Sequence, residues 1–121
     1  MGFFDAFKKM PNYTGEAIIE SNYLMVANAV EKEYSAFGGK MNQVKKLSGV
    51  NQHGVEYIEY SYSKEVLIDK KKSLMFNNIV LGKLDENNTK FICEIRGDND
   101  NAKFHFETRV ASIRKKLGLG K

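Results

Sequence analysis

The chain of 121 residues carries 19 Lys and Arg against 15 Asp and Glu, a formal net charge of +4, with 42% hydrophobic, 28% charged and 12% aromatic residues. That length fits a single domain over 1–121, and the composition is that of a folded protein, which excludes disordered and collagen-like chains. One cysteine, Cys93, excludes an internal disulfide, and with only His53 and His105 beside it a Cys/His zinc site is excluded too; no metal or other cofactor is expected.

The charge is uneven. Residues 1–60 hold six basic and seven acidic side chains, whereas 61–121 hold thirteen and eight. Sixteen of the basic residues are Lys and three are Arg (Arg96, Arg109, Arg114), and Arg is the side chain that reads phosphate and guanine in a bidentate way. A solvated surface is therefore expected over a nucleic-acid site. Nonspecific binding, were it present, would use Lys70, Lys71, Lys72, Arg114, Lys115 and Lys116.

In chain order, MGFFDAFKKM has an apolar stretch too short for a signal core and interrupted by Asp5, and no later segment reaches the roughly 18 apolar residues of a membrane helix. A cytoplasmic protein without a transmembrane segment is expected. Phe3, Phe4, Phe7 and Met10 form one helical stripe that Pro11 ends, a candidate segment for docking on the domain, on a partner such as a second copy, or on a membrane surface. A strand over 13–20 follows. Next, Tyr23, Val26, Ala27, Val30, Tyr34 and Phe37 predict a long helix over about 22–37, capped by Ser21 or Asn22 and stopped by Gly38-Gly39, with Glu31, Lys32 and Glu33 facing solvent.

The period then changes to two. Strands are predicted over 41–47, 55–62 and 74–84, with a further extended piece over 66–68. Asn51-Gln52-His53-Gly54, Asp69 to Lys72 and Asp85 to Asn88 supply the turns. Ile58, Tyr60 and Tyr62 share one face, as do Phe91, Cys93 and Ile95 in TKFICEIR. Gly97 to Asn101 reads as a hairpin turn into a last strand with Phe104, Phe106 and Thr108 on one face, before a short helix over about 109–117 that Gly118 stops.

Little of this points to catalysis. His53 and His105 lack metal-ligand spacing, and Cys93 reads as a small buried hydrophobe. Asp98-Asn99-Asp100-Asn101 lacks the glycine and glutamate of a calcium loop, and no glycine-rich phosphate loop is present. Neither Glu31 with Glu33 nor Glu56 with Glu59 converges as an acid/base couple, so a non-enzymatic role is expected. Tyr57, Tyr60 and Tyr62 near Lys64 read as packing surface more than as a base-stacking platform.

With its strand ending at Glu20, the SNYLMVANAVEKEYSAFG helix, the MFNNIVLGKLDENNTKFICEIRGD hairpin and the terminal RVASIRKKLG helix, the chain resembles small bacterial START-like (helix-grip) domains. The resemblance implies an α+β fold, a curved antiparallel sheet of about five to six strands against one long helix. It also implies a cavity for a hydrophobic or amphipathic small molecule. The candidate lining is Ile58, Tyr60, Phe76, Phe91, Cys93 and Phe106. A cystatin-like or PH-like wrap with a protein-interaction or homodimer role is the alternative, and nonspecific nucleic-acid binding the third.

Overall fold

A computed structural model describes residues 12–36, 40–68, 70–97 and 101–119. The predicted helix of Phe3, Phe4 and Phe7, the Gly38-Gly39 stop, Asp69 and Asp98 to Asp100 lie outside them. The order is β1 (Asn12–Ile19), α1 (Tyr23–Ser35), β2 (Asn42–Val50), β3 (Glu56–Ile68), β4 (Lys71–Asp85), β5 (Asn88–Arg96) and α2 (Ala102–Lys116). The five strands make one open antiparallel sheet in the order β1-β5-β4-β3-β2.

Register explains the core. Ala17, Phe91, Leu81 and Ile58 are cross-strand neighbours in one row, Gly15, Cys93, Ile79 and Tyr60 in the next, and Tyr13, Ile95, Asn77 and Tyr62 in a third. All twelve point to one face, because side chains alternate with a period of two. That inner face carries both helices: α1 lies over β3, β4 and β5, while α2 lies over β1 and β5 and against α1. From α1, Val26, Ala27, Ala29, Val30 and Tyr34 are buried.

The first helix is thirteen residues long, shorter than the long helix its stripe predicts. Asn22 caps it, its Oδ1 accepting from the Leu24 N–H at 2.9 Å. The helix ends at Ala36, which is already extended, before the two glycines. Residues 66–68 are the end of β3, whose long hairpin with β4 turns through Lys70 at φ 65°.

The larger correction is at the C-terminus. No strand forms over 103–108; α2 begins at Ala102, seven residues before the predicted helix. Its buried residues are Ala102, Phe106, Arg109 and Ile113, spaced four, three and four. That is a helical period. Phe104, expected on a buried strand face, is 70% exposed. Gly97, expected within a hairpin turn, holds φ at 89°, and a Cβ there would meet Leu74 O at 2.7 Å, so the turn into α2 needs glycine. The helix closes as expected at Gly118: the Leu119 N–H reaches Arg114 O and the Gly118 N–H reaches Lys115 O.

The sheet leaves β1 and β2 as edges. All nine residues of β2 are exposed, and the edge is blunted by a register shift between Gln43 and Lys45 and by Lys45 and Lys46 themselves. No helix among the described residues is long and apolar enough to cross a membrane.

Candidate functional site

Five of the six candidate lining residues come together. Ile58, Tyr60, Phe91, Cys93 and Phe106 are all buried in the space between sheet and helices. Phe76 is not with them: it alternates to the outer face, between Met75 and Asn77, which are buried on the inner one. Phe106 occupies the position over Gly15, whose added Cβ would lie 2.7 Å from its ring, and packs 6.0 Å from Phe91 and 5.8 Å from Tyr13. The place where curvature would open a cavity beside β1 is thus filled by an aromatic ring from α2.

Polar groups thread this interior. The Tyr34 hydroxyl donates to Asn77 Oδ1 at 2.9 Å, and the Cys93 thiol points at the same oxygen from 3.6 Å. Burial pushes the Cys93 thiol up to about 12 and the Tyr34 phenol well above its ordinary value. Cys93 is therefore no nucleophile, and iodoacetamide at mildly alkaline pH is expected to label it only in denaturant; labelling of the folded chain at a free-thiol rate contradicts that burial.

Glu33, expected on a solvent face, is buried instead. Its carboxylate accepts from Arg109 at 3.0 Å, from Lys116 at 3.0 Å and from Ser112. Burial alone would raise its carboxyl; the donors from Ser112, Lys116 and Arg109 outweigh it and hold the group below the usual range. The Arg109 guanidinium also lies 4.3 Å from the centre of the Tyr34 ring. Glu33 thereby joins the two helices. Glu31, its neighbour, accepts from the Tyr60 hydroxyl and from Lys46. Of the basic residues expected to touch phosphate, Arg114 pairs with Glu20 at 2.7 Å, Lys116 with Glu33 and Lys72 with Glu65 at 3.9 Å. Among the described residues no three His, Cys, Asp or Glu side chains group as metal ligands.

Two surface openings are lined by described residues. A cleft of about 530 Å³ at the end of α1 reaches Tyr34, Met41 and Tyr62 at its floor, but its rim is polar: Asn28, Glu31, Lys32, Lys40, Asn42 and Gln43. The second is a groove of about 500 Å³ on the outer face of the sheet. Two cross-strand rows form its floor, Tyr57, Gly82 and Lys90 in one and Val80 and Ile92 in the other. Val55, Leu84, Lys83 and Asn51 close its end, where the register shifts between Lys83 and Asp85. Carbon lines most of it, with a few polar groups at the rim, the composition typical of small-molecule sites.

Gly82 makes the groove. Gly15 and Gly97 have steric reasons to be glycine, but a Cβ on Gly82 meets nothing within 4 Å, and the residue stays paired with Tyr57 and Lys90 in the middle of the sheet. Glycine weakens a strand interior, and one without a local steric need marks a place where something else approaches the backbone. None of the groove residues was singled out by the alternation as a site, because Tyr57, Val80 and Ile92 fall in the phase that the pattern assigns to solvent. The signal is present only once the register sets them side by side.

No family model matches the sequence, and no curated protein does. Fifteen solved chains match the structure. Among them are the ZhuI aromatase/cyclase from Streptomyces sp. R1128 (8% identity over 91% of this chain and 87% of that one, TM-score 0.39) and norcoclaurine synthase from Thalictrum flavum (11%, 98% and 92%, TM-score 0.40). NdmB of Pseudomonas putida CBB5 is similar at 12% identity over 96% of this chain and 42% of its own length, with a TM-score of 0.44. The aromatase/cyclase and norcoclaurine synthase are helix-grip folds, the class that the element order resembles.

Proposed function

We propose that the protein is a binding module for a small amphipathic molecule, held in the outer groove over Tyr57, Val80, Gly82 and Ile92. The observation that carries this reading is Gly82, a central-strand glycine whose missing side chain serves nothing but the groove. An apolar body laid on Val80 and Ile92 removes their surface from water, which stabilises the complex by about 25 cal/mol per Å² of apolar area covered. The rim groups Asn51 and Lys90 then fix the polar end.

Gly82→Val tests it. Valine is a better strand residue than glycine, so the variant is expected to be more stable than the parent by about 0.5–1 kcal/mol in urea denaturation, while its two methyls fill the groove floor. Against a panel of phenylalkyl and medium-chain alkyl compounds, the parent is expected to gain stability with a ligand present at about 100 Kd by roughly 2.7 kcal/mol. The variant is expected to gain none. A variant that responds to ligand as the parent does removes the groove from consideration.

Self-association through the β2 edge is the weaker reading, since the register shift and the two lysines oppose strand pairing there.

A further inference from the structure

We propose that the end of the sheet opposite the groove docks on an anionic phospholipid surface, through the projecting β3–β4 ribbon and the segment that precedes β1. The contact is independent of what the groove binds.

Register isolates the ribbon. At this end the outermost pair of β2 with β3 is Asn42 with Ser63, and that of β5 with β4 is Arg96 with Phe76. Beyond them β3 and β4 continue alone for five residue pairs, from Lys64 with Met75 to Ile68 with Lys71, a projection of about 16 Å at the ordinary rise of a strand. An isolated hairpin is marginally stable in water. This one is held by its inner side, where Met75 is buried and Val66 packs against the core. The outer side has no such cover: Leu67 is 73% exposed and Leu74 49%, and the two are diagonal neighbours across the ribbon.

Lysine surrounds these leucines. Residues 64–75 carry Lys64, Lys70, Lys71 and Lys72 against Glu65 and Asp69. Among the described residues no carboxylate lies within 4 Å of Lys64, Lys70 or Lys71, and Lys72 meets Glu65 only at 3.9 Å. Elsewhere Lys83, Arg109, Arg114 and Lys116 pair with carboxylates at 3.1 Å or less. Exposed apolar side chains among unpaired lysines fit a surface that is anionic outside and apolar beneath, which a phospholipid bilayer offers. Nucleic acid fits less well, because bases need a stacking platform and Tyr60 and Tyr62 are buried under α1.

A second element starts beside the first. Asn12 pairs with Arg96 in the row of Phe76, so β1 lies two strand spacings, about 10 Å, from β4. Both strands are antiparallel to β5 and run the same way, so Asn12 enters the sheet at the end from which the ribbon projects. The residues before it include Phe3, Phe4, Phe7, Lys8 and Lys9, the same combination of apolar and cationic side chains. Two elements matter because a single short apolar anchor binds lipid only marginally. Gly82 lies eight residues along β4 from Leu74, about 26 Å, which keeps the groove clear of the lipid.

The test is co-sedimentation of the full chain with vesicles of phosphatidylcholine alone and of phosphatidylcholine with phosphatidylglycerol in equal parts. Binding is expected only to the anionic vesicles, and to weaken between about 50 mM and about 0.5 M salt. Lys70→Asn/Lys71→Ser, in which asparagine tolerates the φ of 65° at residue 70, is expected to lower the partition about 25-fold, at roughly fivefold per lysine. Leu67→Ser is expected to lower it about tenfold with the urea midpoint unchanged, and Phe3→Ser/Phe4→Ser/Phe7→Ser at least as much. No binding to either vesicle, or equal binding to both, overturns the proposal. Leu67→Ser binding like the parent reduces the contact to surface charge and overturns the docking, and an unchanged phenylalanine variant overturns the two-element contact. Tighter binding of a mixed-sequence oligonucleotide than of the anionic vesicles, lost in Lys70→Asn/Lys71→Ser, assigns the lysines to nucleic acid and overturns the lipid surface as partner.

Discussion

Glu33→Ala is expected to cost about 3–5 kcal/mol of folding stability, because it breaks the buried ion pair with Arg109 and takes the same carboxylate from Ser112 and Lys116. Arg109 is 7% exposed and Glu33 8%, so neither charge recovers much hydration from solvent. The carboxylate also holds Lys116 and Ser112, and all three donors sit on α2 while Glu33 sits on α1. Loss of the pair therefore loosens one helix from the other. Urea denaturation reads the cost directly. The double variant Glu33→Leu/Arg109→Met, which removes both charges and keeps much of the volume, is expected to recover most of it, since replacing a buried pair by apolar groups is often neutral. If Glu33→Ala costs under about 1 kcal/mol, the pair behaves as a solvated surface bridge and its place in the core is wrong.

The same carboxylate gives the stability its acid limb. Its folded value is held below the ordinary 4.5 of an unfolded glutamate. The contribution is therefore fully present above about pH 4.5 and is lost as pH falls through the lower folded value. Glu31 and Glu56 are lowered as well, so the whole limb is shared. Glu33→Gln is expected to flatten the fall below pH 4.5 relative to the parent.

Arg109 also explains what the sequence concealed. The stripe of α1 was legible because its members are apolar or aromatic, and β1 and β5 were legible because alternation matches a sheet with one buried face. In α2 one buried position in four is an arginine, which reads as solvent-facing until Glu33 supplies its charge. With Arg109 taken as polar, Phe104 and Phe106 alternate like a strand, and Phe104 is in fact exposed. Glu33 was hidden for the reciprocal reason: two charges that bury each other look like two surface residues. The groove was illegible in another way. Tyr57, Val80 and Ile92 stand on three strands, and periodicity along one strand says nothing of what lies beside it. Gly82 contributes through a side chain it lacks.

Phe106→Ala is expected to be as severe, about 3–5 kcal/mol, and its coupling to Gly15 is the sharper part of the prediction. Phe106 is 7% exposed and its ring rests on the Gly15 backbone, beside Phe91 and Tyr13. Removing the ring leaves an apolar space between α2 and β1, where a dry cavity costs more than the lost transfer of the side chain alone. Gly15→Ala in the parent is expected to destabilise, since its Cβ would stand 2.7 Å from the ring. In the Phe106→Ala background the same substitution meets the vacated space, and alanine suits a strand better than glycine; the sign is expected to reverse. Four urea curves, parent, two single variants and the double, measure the coupling. Additive effects of the two substitutions would mean that the ring does not sit on β1, and the interior beside it would then be open to a guest.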